Sequence, residues 1–163
     1  MKKLLLFIVL MVATATHAQK ANYKAVPSEL VAENNVFEVS GKSATELYQL
    51  TKSWMAKEYI NPQRVMKLDD ENETIKINYH FDIKSPKKVK VKYNLLFDFK
   101  DEKVRVTFTE IGDTYGTKYT KFFDEDGLPK KSKYVEKSIK TLEEYVSKFV
   151  DDYISYLQKG DDW

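Results

Sequence analysis

The chain has 163 residues and no cysteine, and its 27 lysines and arginines nearly balance its 25 aspartates and glutamates. The missing cysteines exclude disulfides, thiol catalysis and thiolate metal sites, and also the lipidated cysteine of a bacterial lipoprotein. The near balance of charge gives no indication of a nucleic-acid partner.

The first 18 residues predict a cleavable signal peptide. Lys2 and Lys3 form a basic head, Leu4 to Val12 is an unbroken apolar run, and small residues follow as far as Ala18. This order is typical of secretory signals, and we expect cleavage after Ala18. The apolar run is shorter than the about 20 residues that a transmembrane helix needs. We therefore expect an exported protein, periplasmic or secreted, with neither a transmembrane segment nor a lipid anchor in the mature chain.

The mature chain is long enough for one domain. Its about 145 residues suffice to bury a stable core. Because Lys2 and Lys3 leave with the signal, its formal net charge is zero. We predict a loosely ordered lead-in segment over residues 19–34, which contain Pro27, and a single α+β domain over residues 35–160.

The domain is predicted to begin with a strand and a helix. Residues 36–39 indicate a short strand that ends at Gly41. Ser43 and Glu46 form a capping box, in which each side chain satisfies a backbone amide at the start of a helix. The helix is expected to stop before Pro62. Its apolar stripe consists of Leu47, Leu50 and Trp54.

The hydrophobic period then changes from about 3.6 to 2. Alternation over residues 75–83, 89–97 and 104–108 predicts sequential antiparallel strands with one buried face each. A helical stripe from Tyr134 to Lys159 predicts a long last helix capped by Gly160. Since two amphipathic helices and one amphipathic sheet must bury each other, both helices are expected on one face, with the other face open to water.

These residues resemble a known family. The sequence VFEVSGKSATELY at 36–48, Trp54 and the acidic stretch 69–72 that leads into Ile75 are similar to an uncharacterised exported domain described mainly from Bacteroidetes, domain of unknown function 4468. The resemblance covers about Asn35 to Leu157. It implies a TBP-like fold: a curved antiparallel sheet with two helices packed on one face, in the order β-α-β-β-β(-β)-α. The resemblance gives no catalytic residue to carry over to this chain. It does not imply DNA binding either, because fold and function separate readily.

Familiar catalytic and metal motifs are incomplete. Gly41-Lys42-Ser43 imitates the end of a P-loop, but Val36 stands where the first glycine is needed. His80 is the only histidine of the mature chain and is placed on the polar side of a strand, so neither zinc ligation nor serine–histidine chemistry is indicated. We predict no cofactor.

Carboxylates are interpreted as turn residues, both at 69–73 and at 124–127. A calcium loop centred on Asp126-Gly127 would need carboxylates at Phe122 and Lys133, so no metal site is predicted.

Two features are candidates for binding. Lys88, Lys90 and Lys92 form a stripe on one face, with Lys76 and Arg105 on neighbouring strands. This stripe either receives an anionic partner or keeps the sheet face solvated. The segment 112–131 either completes the core as a hairpin or forms an aromatic recognition loop. Its aromatic residues are Tyr115, Tyr119, Phe122 and Phe123.

The resulting hypothesis is a non-catalytic binding module of the cell envelope for a protein or glycan partner. One alternative is a carrier of a small apolar ligand, which requires a cavity near Trp54, Tyr93 and Phe149. Another is a carboxylate-dependent hydrolase, which requires two acids that meet in a concave site.

Overall fold

A computed structural model describes residues 19–70, 74–84, 88–113 and 122–160. The predicted signal peptide, residues 1–18, lies outside these ranges. Within them, no helix combines the length and the hydrophobicity needed to cross a membrane. The elements are β1 (Tyr23–Val26), β2 (Glu29–Ala32), β3 (Val36–Glu38), α1 (Ala44–Glu58), α2 (Pro62–Val65), β4 (Met66–Asp70), β5 (Thr74–Lys84), β6 (Lys88–Lys100), β7 (Lys103–Asp113) and α3 (Lys133–Lys159).

All these strands belong to one antiparallel sheet. Its order is β1-β2-β7-β6-β5-β4, and β3 also pairs with β7. The long strands β5, β6 and β7 form the centre, where Phe97 of β6 stands opposite Ile75 on one side and Val106 on the other. Residues that face each other across strands share a face, so the apolar positions of the three strands line one side of the sheet.

The helices α1 and α3 pack on this apolar face, as their amphipathic patterns predict. Trp54 of α1 joins the layers, because its ring lies 6.1 Å from Phe97 on β6. The same ring lies 5.2 Å from the ring of Phe149 and 4.8 Å from that of Tyr153, both of which belong to α3. These edge-on and tilted contacts are the arrangements that aromatic rings prefer. The architecture is the predicted α+β one, with both long helices on one face of an antiparallel sheet that does not close.

Hydroxyl groups buried between the layers bond to one another. The Thr51 hydroxyl donates to the Leu47 carbonyl at 2.7 Å and lies 2.6 Å from the Tyr153 hydroxyl. Both Thr51 and Tyr153 are completely buried. The hydroxyls of Tyr59 and Tyr93 lie 3.2 Å apart. Burial raises the pKa of each of these tyrosines, so all three stay neutral far above physiological pH.

The prediction of a loose segment over residues 19–34 is wrong. Strands β1 and β2 form a hairpin, and Leu30 of β2 pairs with Phe108 of β7. Backbone amides of β1, and of Ala21 just before it, donate to side chains spaced four residues apart on α3. These bonds are Ala21 to Asp151 at 2.7 Å, Tyr23 to Ser147 at 3.0 Å and Ala25 to Glu143 at 3.0 Å. Two residues along a strand and four residues along a helix both advance about 6–7 Å. Successive amide donors on the strand therefore lie opposite successive side-chain acceptors on the helix.

The connection after α1 also differs from the prediction. The Ser43–Glu46 capping box is present, and α1 ends at Glu58. Pro62, expected only to end the helix, is the first residue of the short helix α2, because proline lacks the amide that is unpaired there. Asp69 and Asp70, interpreted as part of a solvated turn, lie in strand β4. Residues 71–73 of that predicted turn lie outside the described ranges.

Candidate binding face

The face of the sheet opposite α1 and α3 carries polar side chains, and we call it the open face. Cross-strand register brings its positions together in rows, with His80 opposite Lys92 and Asn78 opposite Asn94. Its described positions are Thr74, Lys76, Asn78, His80 and Asp82 on β5, Lys90, Lys92, Asn94, Leu96 and Asp98 on β6, and Arg105, Thr107, Thr109 and Glu110 on β7.

A hydrogen-bonded row crosses the middle of the open face. The Asn78 side-chain amide donates to the Asn94 side-chain oxygen at 2.8 Å. The Asn94 amide in turn donates to a carboxylate oxygen of Glu110. Asn94 is only 4% exposed, although it lies on the polar side of the sheet. The row therefore fixes Glu110 through a buried amide, while Glu110 itself is exposed.

Glu110 sits in a β-bulge with an unusual backbone conformation. Lys92 pairs with Gly112 and Asn94 with Thr109, so Glu110 and Ile111 together stand opposite one residue of β6. The φ angle of Glu110 is 53°, in the left-handed region that non-glycine residues rarely adopt. Such a conformation costs on the order of 1–3 kcal/mol and is concentrated at functional sites. Bulges likewise redirect side chains next to binding sites.

The structure describes part of the predicted basic stripe. Lys90 and Lys92 are exposed, and neither forms an ion pair within the described residues. The side chain of Lys88 lies outside what the structure describes. Arg105 is engaged, because its Nε donates to Asp98 at 2.8 Å while Thr74 donates to the other oxygen of that carboxylate at 3.0 Å.

The structure divides the predicted aromatic segment. Phe122 and Phe123 are 6% and 4% exposed and belong to the core, as the hairpin interpretation expects. They are followed by a tight turn in which the Asp124 carboxylate accepts the amides of Asp126 at 3.1 Å and Leu128 at 2.8 Å. Phe122 and Phe123 therefore do not present a recognition surface. Tyr115 and Tyr119 lie outside the described residues.

Beside β4, a cavity of about 370 Å³ is lined in part by Lys52 and Asp69, which form a cluster with Tyr48. Tyr48 donates to Asp69, and Lys52 Nζ reaches the other Asp69 oxygen at 2.8 Å. The hydrogen bond from Lys52 lowers the pKa of Asp69, and the reciprocal bond raises the pKa of Lys52. Burial, then the bond to Asp69, raises the pKa of Tyr48. These shifts favour the ion pair between Lys52 and Asp69 and a neutral Tyr48 phenol, and the cluster joins α1 to β4.

A second cavity lies between α1 and α3, and we call it the interhelical cavity. It measures about 140 Å³ and is lined by Trp54, Glu58, Tyr145, Lys148, Phe149 and Asp152. This volume is below the about 300–1,000 Å³ of typical small-molecule sites, so the carrier hypothesis gains little support. Glu58 and Asp152 do line one concave site, but Lys148 binds both oxygens of Asp152 at 2.9 and 2.7 Å.

Sequence reasoning missed Glu110, although a signal was present. The buried residues Phe108 and Ile111 are three positions apart, and this spacing breaks the period of two within one strand. An extra residue in a strand is what a bulge requires. The pairing of Tyr48 and Lys52 with Asp69 left no comparable trace in the sequence, because these partners are 21 and 17 residues apart along the chain.

Comparison with known proteins supports the fold. Residues 34–113 match the model of a family described as a domain of unknown function (DUF4468) with TBP-like fold. The chain is also similar to a solved structure of a TBP-like protein from Parabacteroides distasonis ATCC 8503. The identity is 14%, the TM-score is 0.58, and the similarity covers 77% of this chain and 91% of that one. A search of curated proteins found no match.

Proposed function

Given that residues 34–113 belong to the DUF4468 family with its TBP-like fold, we propose that the protein is a non-catalytic binding module of the cell envelope. Its open face binds an anionic partner, protein or glycan. The observation that carries this proposal is the row Asn78–Asn94–Glu110, which holds a strained carboxylate near two exposed lysines, Lys90 and Lys92, that form no ion pair within the described residues.

The row supplies preformed recognition groups. Asn94 is buried and hydrogen-bonded on both sides, so binding costs little side-chain ordering there. One oxygen of Glu110 accepts the Asn94 amide, and the other is available for a hydroxyl or amide donor of a partner. The left-handed backbone at Glu110 costs stability, and strain of this kind at a position on the open face supports a binding role there.

The lysines supply attraction for acidic groups. Lys90 stands opposite Asp82 and Lys92 opposite His80, next to the hydrogen-bonded row. Two exposed ammonium groups that no described carboxylate pairs with raise the rate and the affinity of binding to an anion, and salt weakens this attraction. A partner with both acidic groups and hydrogen-bond donors fits this combination.

The proposal is tested by capture from envelope extract on the immobilised chain from Gln19 onward. The variant Lys90→Gln/Lys92→Gln is expected to bind the captured partner about tenfold more weakly. The matched control is Lys133→Gln/Lys137→Gln, which removes two exposed lysines from α3.

A partner retained equally by Lys90→Gln/Lys92→Gln contradicts the role of the open face. The variant Tyr115→Ser/Tyr119→Ser then decides whether the aromatic segment holds the partner instead. Treating the extract with protease or with periodate separates a protein partner from a glycan. Chemical change of the captured glycan during incubation, lost with Glu58→Gln, favours the hydrolase alternative.

A further inference from the structure

The interhelical cavity has an aromatic interior that is reached from the helical side of the molecule. Trp54 and Phe149 contact each other with ring centroids 5.2 Å apart, and Tyr145 is 43% exposed beside them. Tyr145 also packs on Phe81, at 5.0 Å. The negative face of an aromatic ring attracts cations, and tryptophan does so most strongly.

The charges around this cavity leave one carboxylate without a partner. Lys148 is held by Asp152 at 2.7 and 2.9 Å, so these two charges offset each other. Glu58 on the opposite wall forms no ion pair or hydrogen bond within the described residues. As the last residue of α1, it adds a negative charge at the helix end that is already negative. Its position is therefore unfavourable for the helix and favourable for an approaching cation.

Neighbouring groups also indicate a negative electrostatic potential at this cavity. Burial raises the pKa of Tyr145, and the charges of Glu58 and Asp82 raise it further. One residue before Glu58, Lys57 of α1 already places its ammonium 4.8 Å from the ring centre of Tyr156 on α3. A cation over an aromatic ring is thus an arrangement that this pair of helices already contains.

We propose that the interhelical cavity binds a single lysine or arginine side chain of a partner polypeptide, with the cationic group between Glu58 and the rings of Trp54 and Tyr145. The volume of about 140 Å³ suits one side chain rather than a whole small molecule. Among the described residues, the cavity wall has one carboxylate that no cation pairs with, and this charge matches one cation. This site is on the opposite side of the sheet from the open face, and the inference does not depend on the proposed function.

The test uses N-acetyl-lysine-methylamide, its arginine counterpart and the neutral isostere N-acetyl-norleucine-methylamide. The readout is the NMR signal of the Trp54 indole N–H, distinguished from the second tryptophan by Trp163→Phe. Both cationic probes are expected to shift this signal at millimolar concentration, and the neutral one is not. An alanine-based peptide with one central lysine is expected to bind at least threefold more tightly than the lysine derivative.

The variant Glu58→Gln is expected to weaken binding of the cationic probes about fivefold to tenfold. Glu136→Gln, which removes an exposed carboxylate from the first turn of α3, is expected to leave it unchanged. An equal shift with the norleucine derivative, no shift with any probe, or unchanged binding by Glu58→Gln overturns the proposal. Equal affinity for the peptide and the lysine derivative would show that the site binds only the amine. That result overturns the proposal of a polypeptide partner.

Discussion

The two faces of the sheet differ in how completely folding uses their side chains. One face is covered by α1 and α3, and we call it the covered face. There, aromatic rings surround Trp54, and the hydroxyls of Thr51 and Tyr153 bond to each other. On the open face, Lys90 and Lys92 form no ion pair within the described residues, and Glu110 is held in a strained conformation. Stability is therefore concentrated on one face, and the other retains groups that folding does not require.

The largest expected effect is the loss of folding stability at alkaline pH, which arises on the covered face. Tyrosine in an unfolded chain ionises near pH 10, whereas burial raises the pKa of four tyrosines of the core, Tyr23, Tyr59, Tyr93 and Tyr153. Their contribution to stability is intact below about pH 10 and is lost as the pH rises further, by about 1.4 kcal/mol per pH unit for each tyrosine. We expect cooperative unfolding above pH 10.

Far-UV circular dichroism measures the unfolding and tyrosinate absorbance measures the ionisation, and the four buried tyrosines are expected to ionise at the midpoint of the change in circular dichroism. Tyr93→Phe removes one buried phenol and is expected to move the midpoint to higher pH, provided that it folds. Tyr134→Phe, at a residue that is 38% exposed, is the control. A circular-dichroism signal that persists after all eleven tyrosines of the chain have ionised would contradict the burial argument.

The next effect concerns packing of the covered face. Trp54→Ala removes the ring that joins α1, β6 and α3. The free energy of unfolding is expected to fall by about 3–5 kcal/mol, from lost burial and the space left behind. Urea denaturation measures this change. Leu128→Ala, at a side chain that is 61% exposed, should change stability by no more than about 0.5 kcal/mol.

Removing one buried hydroxyl of the covered face is expected to lower the free energy of unfolding by a smaller amount. Thr51→Val leaves the Tyr153 hydroxyl buried without its partner and should cost about 1–3 kcal/mol. Thr141→Val is a close control, since Thr141 makes the same bond to a carbonyl four residues earlier, at 2.8 Å, but is not buried between the layers. Adding Tyr153→Phe to Thr51→Val should recover part of the loss. Equal effects of the two threonine variants in urea denaturation would contradict this account.

The strain on the open face is measured by comparing two variants at one position. Glu110→Ala and Glu110→Gly both remove the carboxylate that Asn94 bonds, but only glycine adopts a φ of 53° without steric cost. The glycine variant is expected to be more stable than the alanine variant by about 1 kcal/mol in thermal denaturation. Equal stability would show that the bulge stores no strain.

The smallest expected effect is at the lysines of the open face. Lys90→Gln/Lys92→Gln should leave the free energy of unfolding within about 0.5 kcal/mol of the native value, because these side chains have no described partners to lose. Chemical denaturation checks this, in parallel with the capture experiment. A large loss of stability would instead give these lysines a structural role.

Much of the fold was predictable because it follows from local chemistry. The Ser43–Glu46 capping box, the alternation of β5, β6 and β7 and the stripe of α3 each show in a short stretch of sequence. Burial of apolar surface then requires the helices and the sheet to meet. The lysines of the open face were predictable for the same reason, since alternation assigns every second residue to one face.

The remaining features depend on groups far apart in the chain, and only the tertiary structure decided them. Strand β1 is held by α3 through contacts such as Tyr23 to Ser147, more than a hundred residues apart, so residues 19–34 show no local pattern. Asp69 pairs with Ile75 of β5, and its carboxylate binds Tyr48 and Lys52 of α1. The interhelical cavity likewise unites Glu58 with Tyr145. By itself the sequence determined which faces are apolar, because periodicity is local. Which polar groups meet depends on packing, which no short stretch of the chain encodes.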